Sequence, residues 1–190
     1  MARQYTTEAE IERYMVLDID ASYSAQIGAW IEGMTRVIEN LTGRLFAVEE
    51  EDEVRYFDGN GKVSMTIPDA QIITSVELGD HLGDNFTAIT SGIKKYPVAV
   101  PHTSLVYLSG FTRGQQNVKV TGKFASTSTP PEDIRFACTV LVAGIINASQ
   151  NKLGKKSEKI GSYQVTYADE KHSDYERALS IIESYKVHHF

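Results

Sequence analysis

The last third of the chain constrains the fold most, because it places two predicted helices on either side of a short strand motif. Residues 130–133, Pro-Pro-Glu-Asp, are typical of a helix start, since proline fixes φ near the helical value and carboxylates favour the positive end of the helix dipole. The apolar residues that follow recur at helical spacing: Ile134, Ala137, Cys138, Leu141, Val142, Ile145 and Ile146. We therefore predict a buried helix from Pro130 to Gln150.

Beyond that helix, a polar stretch leads to a strand motif at 160–167 and then to another apolar stripe. The stripe consists of Tyr175, Ala178, Leu179, Ile182 and Tyr185. It predicts an amphipathic helix from Ser173 to Lys186. An isolated helix of this length is marginal in water, so it either folds back onto its own domain or docks on another chain. None of these segments supplies a reactive group.

The first third predicts two more helices. Thr7, followed by acidic residues and apolar residues at helical spacing, indicates a short first helix. The second is predicted from Ala21 to Thr42, with Gly43 at its C-terminal cap. Its apolar stripe consists of Ile27, Trp30, Ile31, Met34, Val37, Ile38 and Leu41.

The middle of the chain changes from helical to strand periodicity. Apolar residues on both sides of 58–61, Asp-Gly-Asn-Gly, predict a hairpin whose turn needs positive φ angles. Further strands are expected at 72–78 and 118–122. The stretch 79–114 is rich in Gly, Thr, Ser and Pro, and it predicts short strands joined by loops without fixed boundaries.

These patterns predict an α+β fold that is helix-dominated. Long amphipathic helices would pack with a small antiparallel β region, followed by a C-terminal strand and helix extension. We expect a core domain at 1–150, with the β region inserted between helices, and an extension at 151–190 that serves assembly.

Composition narrows the functional class. The 190 residues are 42% hydrophobic, which is enough for a real core, and the formal net charge is −6. This charge argues against general nucleic-acid binding, which needs clustered lysine and arginine. No stretch approaches the roughly 18 apolar residues of a membrane helix, and no signal sequence is evident, so the chain is expected in the cytosol without membrane contact. The lone Cys138 has apolar neighbours and is expected to be buried.

No pattern in the chain indicates catalysis. The run Glu49 to Glu53 is either a cation site or, as we favour, a solvated loop, because successive carboxylates cannot all face one ion. Phosphate loops, dinucleotide fingerprints and nucleophile elbows are absent from the sequence, and the histidines lack zinc-hydrolase spacing. We therefore predict no catalytic residue, no metal and no cofactor, and no enzyme activity.

Four segments together resemble one protein family. They are the helix end at 31–46, with Thr-Gly-Arg-x-Phe at 42–46, the Asp-Gly-Asn-Gly turn at 58–61, the Pro-Glu-Asp-Ile-Arg helix start at 131–135, and Ile-Gly-Ser-Tyr-Gln-Val-Thr-Tyr at 160–167. In this order they are similar to the head-to-tail connector, or adaptor, proteins of long-tailed bacteriophages. The stretch 79–114 is longer than a minimal member of the family would carry.

The resemblance implies a structural virion protein. Such proteins form a ring, commonly of twelve copies, that joins the portal of the head to the tail or neck and helps retain packaged DNA. The expected partners are other copies of the chain, the portal protein, and a stopper or tail completion protein, while double-stranded DNA passes through the lumen without specific binding. The expected location is the virion neck, and the host cytoplasm before assembly.

The same resemblance places the portal or subunit interface in the C-terminal segment. The residues it indicates are Tyr163, Val165, Tyr167, Tyr175, Leu179, Ile182, Tyr185 and Phe190. The first three would belong to an extended segment able to pair with a neighbouring strand.

Three other functions stay open on the sequence alone. One is a different neck or tail-end ring protein, such as the stopper. Another is a small cytosolic hydrolase that uses carboxylates, with Asp52 or Asp58 in a cleft. The last is a soluble regulator that binds a host protein through the terminal helix.

Overall fold

The structure is a computed structural model that describes residues 3–149, 157–160, 163–166 and 170–187, with side chains for 3–149 and 173–187. The helices of these ranges are α1 (Glu8–Met15), α2 (Ser24–Thr42), α3 (Glu132–Ser149) and α4 (Glu170–Ser184), with one 3₁₀ turn (Ala21–Tyr23) before α2. The strands are β1 (Glu53–Gly59), β2 (Ser64–Ala70), β3 (Ile72–Leu78), β4 (Thr87–Ala88), β5 (Ile93–Tyr96), β6 (His102–Tyr107), β7 (Gly114–Lys123), β8 (Ser157–Ile160) and β9 (Tyr163–Thr166).

The chain divides into two compact units. One, the β unit, is formed by Arg44–Thr129, and the other, the helical unit, by the described residues of Ala2–Gly43 and Pro130–Phe190. The β unit is therefore inserted between α2 and α3 in the sequence.

Local sequence explains where the first two helices begin and end. Thr7 caps α1, since its hydroxyl accepts from the Glu10 amide at 3.3 Å and its own amide donates to the Glu10 carboxylate at 2.9 Å. Gly43 ends α2 in the left-handed conformation (φ 68°), which glycine adopts without a steric cost. The predicted second helix and its cap are thus confirmed, although residues 21–23 form a 3₁₀ turn.

The core of the helical unit lies around α3, which packs against α1, α2 and α4. The stripe predicted for this helix is confirmed over most of its length, because Ile134, Ala137, Val142 and Ile146 are buried. Ile27, Ile31 and Ile38 of α2, Ile11 of α1, and Ala178 and Ile182 of α4 are also buried.

The β unit contains two antiparallel sheets around one core. The strand order is β1-β7-β3-β4 in the first sheet and β2-β6-β5 in the second. The buried side chains come from both sheets and the loops between them: Met65, Ile67, Ala70, Ile73, Val76, Leu105, Phe111, Val118, Val120 and Phe124. Their alternation with exposed residues along β2 is typical of a sheet with one face on the core.

The predicted helix-dominated fold is wrong. In the described residues, two antiparallel sheets build a unit as substantial as the helical one, and this unit contains strands β1 to β7. The prediction failed because short strands in 79–114 lie among turn-forming residues and carry too little periodicity to be recognised.

The predicted hairpin at 58–61 is also wrong, because β1 and β2 belong to different sheets. β1 pairs with β7 and β2 pairs with β6. The segment between them is a corner, in which the Gly59 amide donates to the Asn117 side chain at 2.8 Å and the Asn60 side chain donates to the Ser64 carbonyl at 2.9 Å. A turn signal in sequence marks a reversal of the chain but not the pairing of the strands that flank it.

Among the described helices, none combines the length and the apolar character that a membrane crossing requires.

Candidate functional site

The C-terminal helix α4 carries three of the residues predicted at an interface, and these lie in two different environments. Ile182 is buried against its own helical unit, together with Ala178. Tyr175 and Leu179 remain 46% and 42% exposed. The two exposed side chains are four positions apart and therefore lie on one face of the helix.

Two tyrosine hydroxyls tie α4 to the rest of the helical unit. Tyr14 of α1 donates to Asp174 at 2.9 Å, and Tyr185 donates to Asp133 of α3 at 3.0 Å. Desolvation and the hydrogen bond to Asp174 raise the pKa of Tyr14 to about 12. Burial and the bond to Asp133 likewise raise the pKa of Tyr185. Both hydroxyls therefore remain protonated donors at neutral pH.

The segment after α4 is attached to α2. The Val187 amide donates to the Thr42 carbonyl at 2.9 Å, so one of the last carbonyls of α2 gains a partner. This bond fixes the direction in which the chain leaves α4, next to the C-terminal cap of α2.

The remaining predicted interface residues are described less fully. Tyr163 and Val165 lie in β9, which pairs antiparallel with β8 in a two-stranded sheet. Tyr167 and Phe190 lie outside the described residues, as do His188 and His189. The assignment of all eight residues to an interface stays a prediction.

The second helix has an exposed apolar face that the sequence analysis did not separate from its buried face. Ile27, Ile31 and Ile38 are buried, whereas Val37 and Leu41 are about half exposed on the same helix. The single wide stripe in the sequence therefore consists of two adjacent faces. The width of the stripe was the available signal, because a helix that packs on one neighbour needs a narrower one.

The β unit presents further apolar side chains in loops. Leu82, Val98 and Leu108 are among its most exposed side chains, and all three come from the stretch 79–114, whose role the sequence left open. Isolated exposed apolar residues are common in soluble proteins, so only a cluster with a matching surface indicates an interface.

The groups considered for catalysis have ordinary structural surroundings in the described residues. Asp52 accepts a hydrogen bond from the Thr74 hydroxyl, and Asp58 accepts one from the Gln116 amide at 2.8 Å; both side chains are exposed. Cys138 is buried, and burial raises the pKa of its thiol to about 12, so it is a neutral core residue at pH 7. Over the described ranges, no three His, Cys, Asp or Glu side chains converge as a metal site would require.

Comparisons with known proteins identify a family for this chain. A family model described as head completion protein matches residues 4–188. No curated protein sequence matches the chain.

Solved structures of similar fold come from gene transfer agent (GTA) particles. The chain is similar to one in the neck of an empty GTA particle computed with C6 symmetry, with a TM-score of 0.61 and 12% identity over 96% of this chain and 89% of that one. A chain of the native GTA virion has a TM-score of 0.58 and 14% identity, over 96% of this chain and 89% of that one. A chain in the native GTA neck computed with C12 symmetry has a TM-score of 0.55 and 15% identity, over 96% of this chain and 88% of that one. At these identities the likeness shows a shared fold.

Proposed function

The chain belongs to the head completion protein family, and we propose that it is a structural subunit of the phage neck, where copies form a ring between the portal and the tail. The observation that carries this proposal is the family match itself, which extends over residues 4–188 and so includes both compact units. The proposal needs no catalytic group, and we assign the chain no enzyme activity.

A ring of twelve copies is the arrangement we propose. Its support is the fold that this chain shares with a chain of a native GTA neck computed with C12 symmetry. Closed rings need two different complementary surfaces on each subunit, one for each neighbour. The exposed apolar residues of both units provide material for such surfaces.

Residues 151–190 are proposed as the segment that serves assembly and meets the portal. Although α4 belongs to the helical unit, its face with Tyr175 and Leu179 is open, and these two side chains are the ones we assign to portal contact. The strand β9, with Tyr163 and Val165, is proposed to pair with a strand of a neighbouring chain, because over the described residues its sheet has two strands and therefore an edge at β9. Ile182 and Tyr185 would act by holding α4 in place, and Tyr167 and Phe190 complete the proposed interface.

The opposite side of the ring is proposed to receive a stopper or tail completion protein, and the lumen to allow DNA to pass without specific binding. A subunit with a formal charge of −6 discourages DNA from adhering, because like charges repel and a ring multiplies the charge of each subunit. By closing the portal exit together with these partners, the ring would help retain packaged DNA in the virion. Free subunits would reside in the host cytoplasm until assembly.

Point variants on α4 test this assignment better than a truncation. Removal of α4 would uncover the site that Ala178 and Ile182 fill and would destabilise the helical unit. We therefore propose to measure binding to the purified portal protein by size-exclusion chromatography with light scattering, for wild type, Leu179→Ser and Tyr175→Ser. Ser180→Ala, at an exposed polar position of the same helix, is the matched control.

We expect wild type and the control to form a ring-sized complex with the portal, and Leu179→Ser to bind at least about tenfold more weakly, equal to about 1.4 kcal/mol. A wild-type chain that is folded but never binds the portal would overturn the proposed function. A stopper would instead bind only to a portal that already carries another ring protein.

A further inference from the structure

The two sheets of the β unit end in edges of opposite chemical character. β1 is an edge of the four-stranded sheet, and β5 is an edge of the three-stranded sheet. Edge strands carry unpaired backbone groups and are natural sites for contact between chains. The side chains at these two edges differ in charge, and both sets include exposed apolar residues.

The surface at β5 is apolar and basic. Lys94 and Tyr96 are two positions apart and therefore share the outer face of their sheet, whereas the intervening Lys95 donates to the Ile73 carbonyl at 2.6 Å. The loop that follows continues the surface, with Val98 and Val100 at 83% and 53% exposure. We call this set, Lys94, Tyr96, Val98 and Val100, the basic tip.

The basic tip has a defined shape before any partner binds. Pro97 and Pro101 bracket the loop and fix their own φ angles. The His102 ring donates from Nδ1 to the Pro97 carbonyl at 2.8 Å, which holds the start of the loop against the start of β6. A loop that is ordered in advance loses less conformational entropy on binding.

The surface at β1 is apolar and acidic. Val54 and Tyr56 are 44% and 50% exposed, and they lie opposite Thr121 and Lys119 of β7, on the outer face of the sheet. The Tyr56 and Phe86 rings pack edge-on with their centroids 5.7 Å apart, and this contact supports the orientation of the Tyr56 side chain. Lys119 is paired with Glu77 at 2.9 Å, so it adds no net charge to this face.

Directly before β1 the chain carries exposed carboxylates. Glu50, Glu51 and Asp52 are all exposed, and the nearby Lys123 ammonium donates to the Glu50 carbonyl. Three carboxylates against one ammonium leave this end of β1 negative. We call Glu50, Glu51, Val54 and Tyr56 the acidic edge.

We propose that the basic tip of one copy docks on the acidic edge of the next copy in the ring. This inference rests on the proposed ring and names the surfaces that close it. The occupant is a second copy because one chain carries both halves of a contact that matches in charge and in apolar character. The two halves are different surfaces, as a head-to-tail ring requires.

Charge matching also explains how subunits with net negative charge can assemble in register. Copies of charge −6 repel one another at long range, so a local contact between Lys94 and the carboxylates at 50–52 favours one orientation over others. The apolar side chains of the tip and the edge would supply the stabilisation that exposed ion pairs do not.

Charge reversal with rescue tests the proposal. Ring formation in the presence of the portal protein would be measured by light scattering for Lys94→Glu, Glu51→Lys and the double variant. We expect each single reversal to raise the subunit concentration for half-assembly by roughly tenfold, since like charges face each other, and the double variant to restore it. Lys62→Glu, an exposed lysine in the corner between β1 and β2, is the matched control and should assemble like wild type.

A cross-link provides a second readout that does not depend on the size of an electrostatic effect. The variant Val98→Cys with Val54→Cys should form disulfides between copies in assembled rings and give a ladder of covalent oligomers, whereas each single cysteine variant should not. If wild-type rings form but both reversals assemble normally and no ladder appears, this contact is refuted while the ring stands. If wild type forms no ring with the portal, the proposed function fails, and this contact fails with it.

Discussion

Tyr185, directly after α4, donates its phenolic hydroxyl to Asp133 in the first turn of α3, 3.0 Å from Oδ2 and 3.2 Å from Oδ1. The bond connects the end of the chain's last described helix to the start of its most buried one. It therefore couples the position of α4, the proposed portal-binding helix, to the core of the helical unit.

Removal of that hydroxyl should loosen α4. We expect Tyr185→Phe to lower the free energy of unfolding by about 1–2 kcal/mol, because a hydrogen bond to a carboxylate is lost and Asp133 is left with one donor fewer. Urea unfolding followed by circular dichroism measures this. Tyr175→Phe removes an exposed hydroxyl from the same helix and should change the value by less than about 0.5 kcal/mol. Equal effects of the two substitutions would contradict the role of the bond.

Acid should weaken the contact between α1 and α3. Burial raises the pKa of Glu10, but hydrogen bonds from Arg135, the Thr7 amide and Thr6 outweigh it and lower the pKa below its usual 4.5. The ionised form is therefore favoured in the folded state. Its contribution to stability is present above the unfolded pKa and is lost as pH falls through the folded pKa.

The substitution Glu10→Gln should accordingly lower the free energy of unfolding at pH 7 and flatten its decline below about pH 4.5. Chemical denaturation at several pH values between 3 and 7 measures both effects. Glu32→Gln, on α2 of the same unit, serves as the control and should keep the wild-type decline. If the free energy of unfolding of Glu10→Gln fell with pH in parallel with that of wild type, the ionised Glu10 carboxylate would not be the cause of the decline.

Neighbouring residues of α2 should differ sharply in their response to truncation. Ile38 is fully buried, whereas Val37 is half exposed on the adjacent face. Ile38→Ala should cost about 2–5 kcal/mol of unfolding free energy through lost burial and the cavity that remains. Val37→Ala should cost less than about 1 kcal/mol in the free subunit. Similar losses for both would show that the open face of α2 is covered within the subunit.

Gly59 is required by the corner between β1 and β2. A Cβ atom at this position would lie 1.9 Å from the Thr112 carbonyl oxygen and 2.7 Å from the Asn117 side-chain oxygen. Gly59→Ala should therefore displace backbone and lower the melting temperature of the β unit by several degrees, equal to about 1–3 kcal/mol. Calorimetry checks this.

Gly33→Ala is the contrasting substitution, because an added Cβ there meets nothing within 4 Å in the middle of α2. It should stabilise the helical unit by about 0.5–1 kcal/mol, since alanine is the better helix former. If Gly33→Ala destabilised the protein and Gly59→Ala did not, the packing described for both positions would be contradicted.

The helices were predictable because their signals are local. The stripe of α3, the Thr7 cap and the Gly43 cap each involve residues within one or two turns, and the structure confirms all three. The resemblance to head-to-tail connectors, carried by short motifs along the chain, is confirmed by the family match.

Strand pairing was not predictable because it joins distant parts of the chain. β1 finds its partner β7 some 60 residues later, and nothing near 58–61 distinguishes a hairpin turn from a corner between sheets. The basic tip was missed for a related reason. In sequence, Val98 and Val100 belong to a short apolar run typical of a strand. In the fold they lie in the loop after the edge strand β5, where both side chains are exposed.

The division of α4 into a buried and an open face also needed the fold. Leu179 and Ile182 are equivalent in an apolar stripe, and the helices that pack against α4, α2 and α3, end more than 30 residues before Ile182. Periodicity gives the orientation of residues around a helix but not which neighbours are present.

A cryo-electron microscopy reconstruction of the neck of particles that carry this chain tests the central claim most directly. We predict a closed ring of copies in direct contact with the portal, with Tyr175 and Leu179 facing the portal. A neck in which this chain is absent, or lies only beyond another ring with no portal contact, would contradict it.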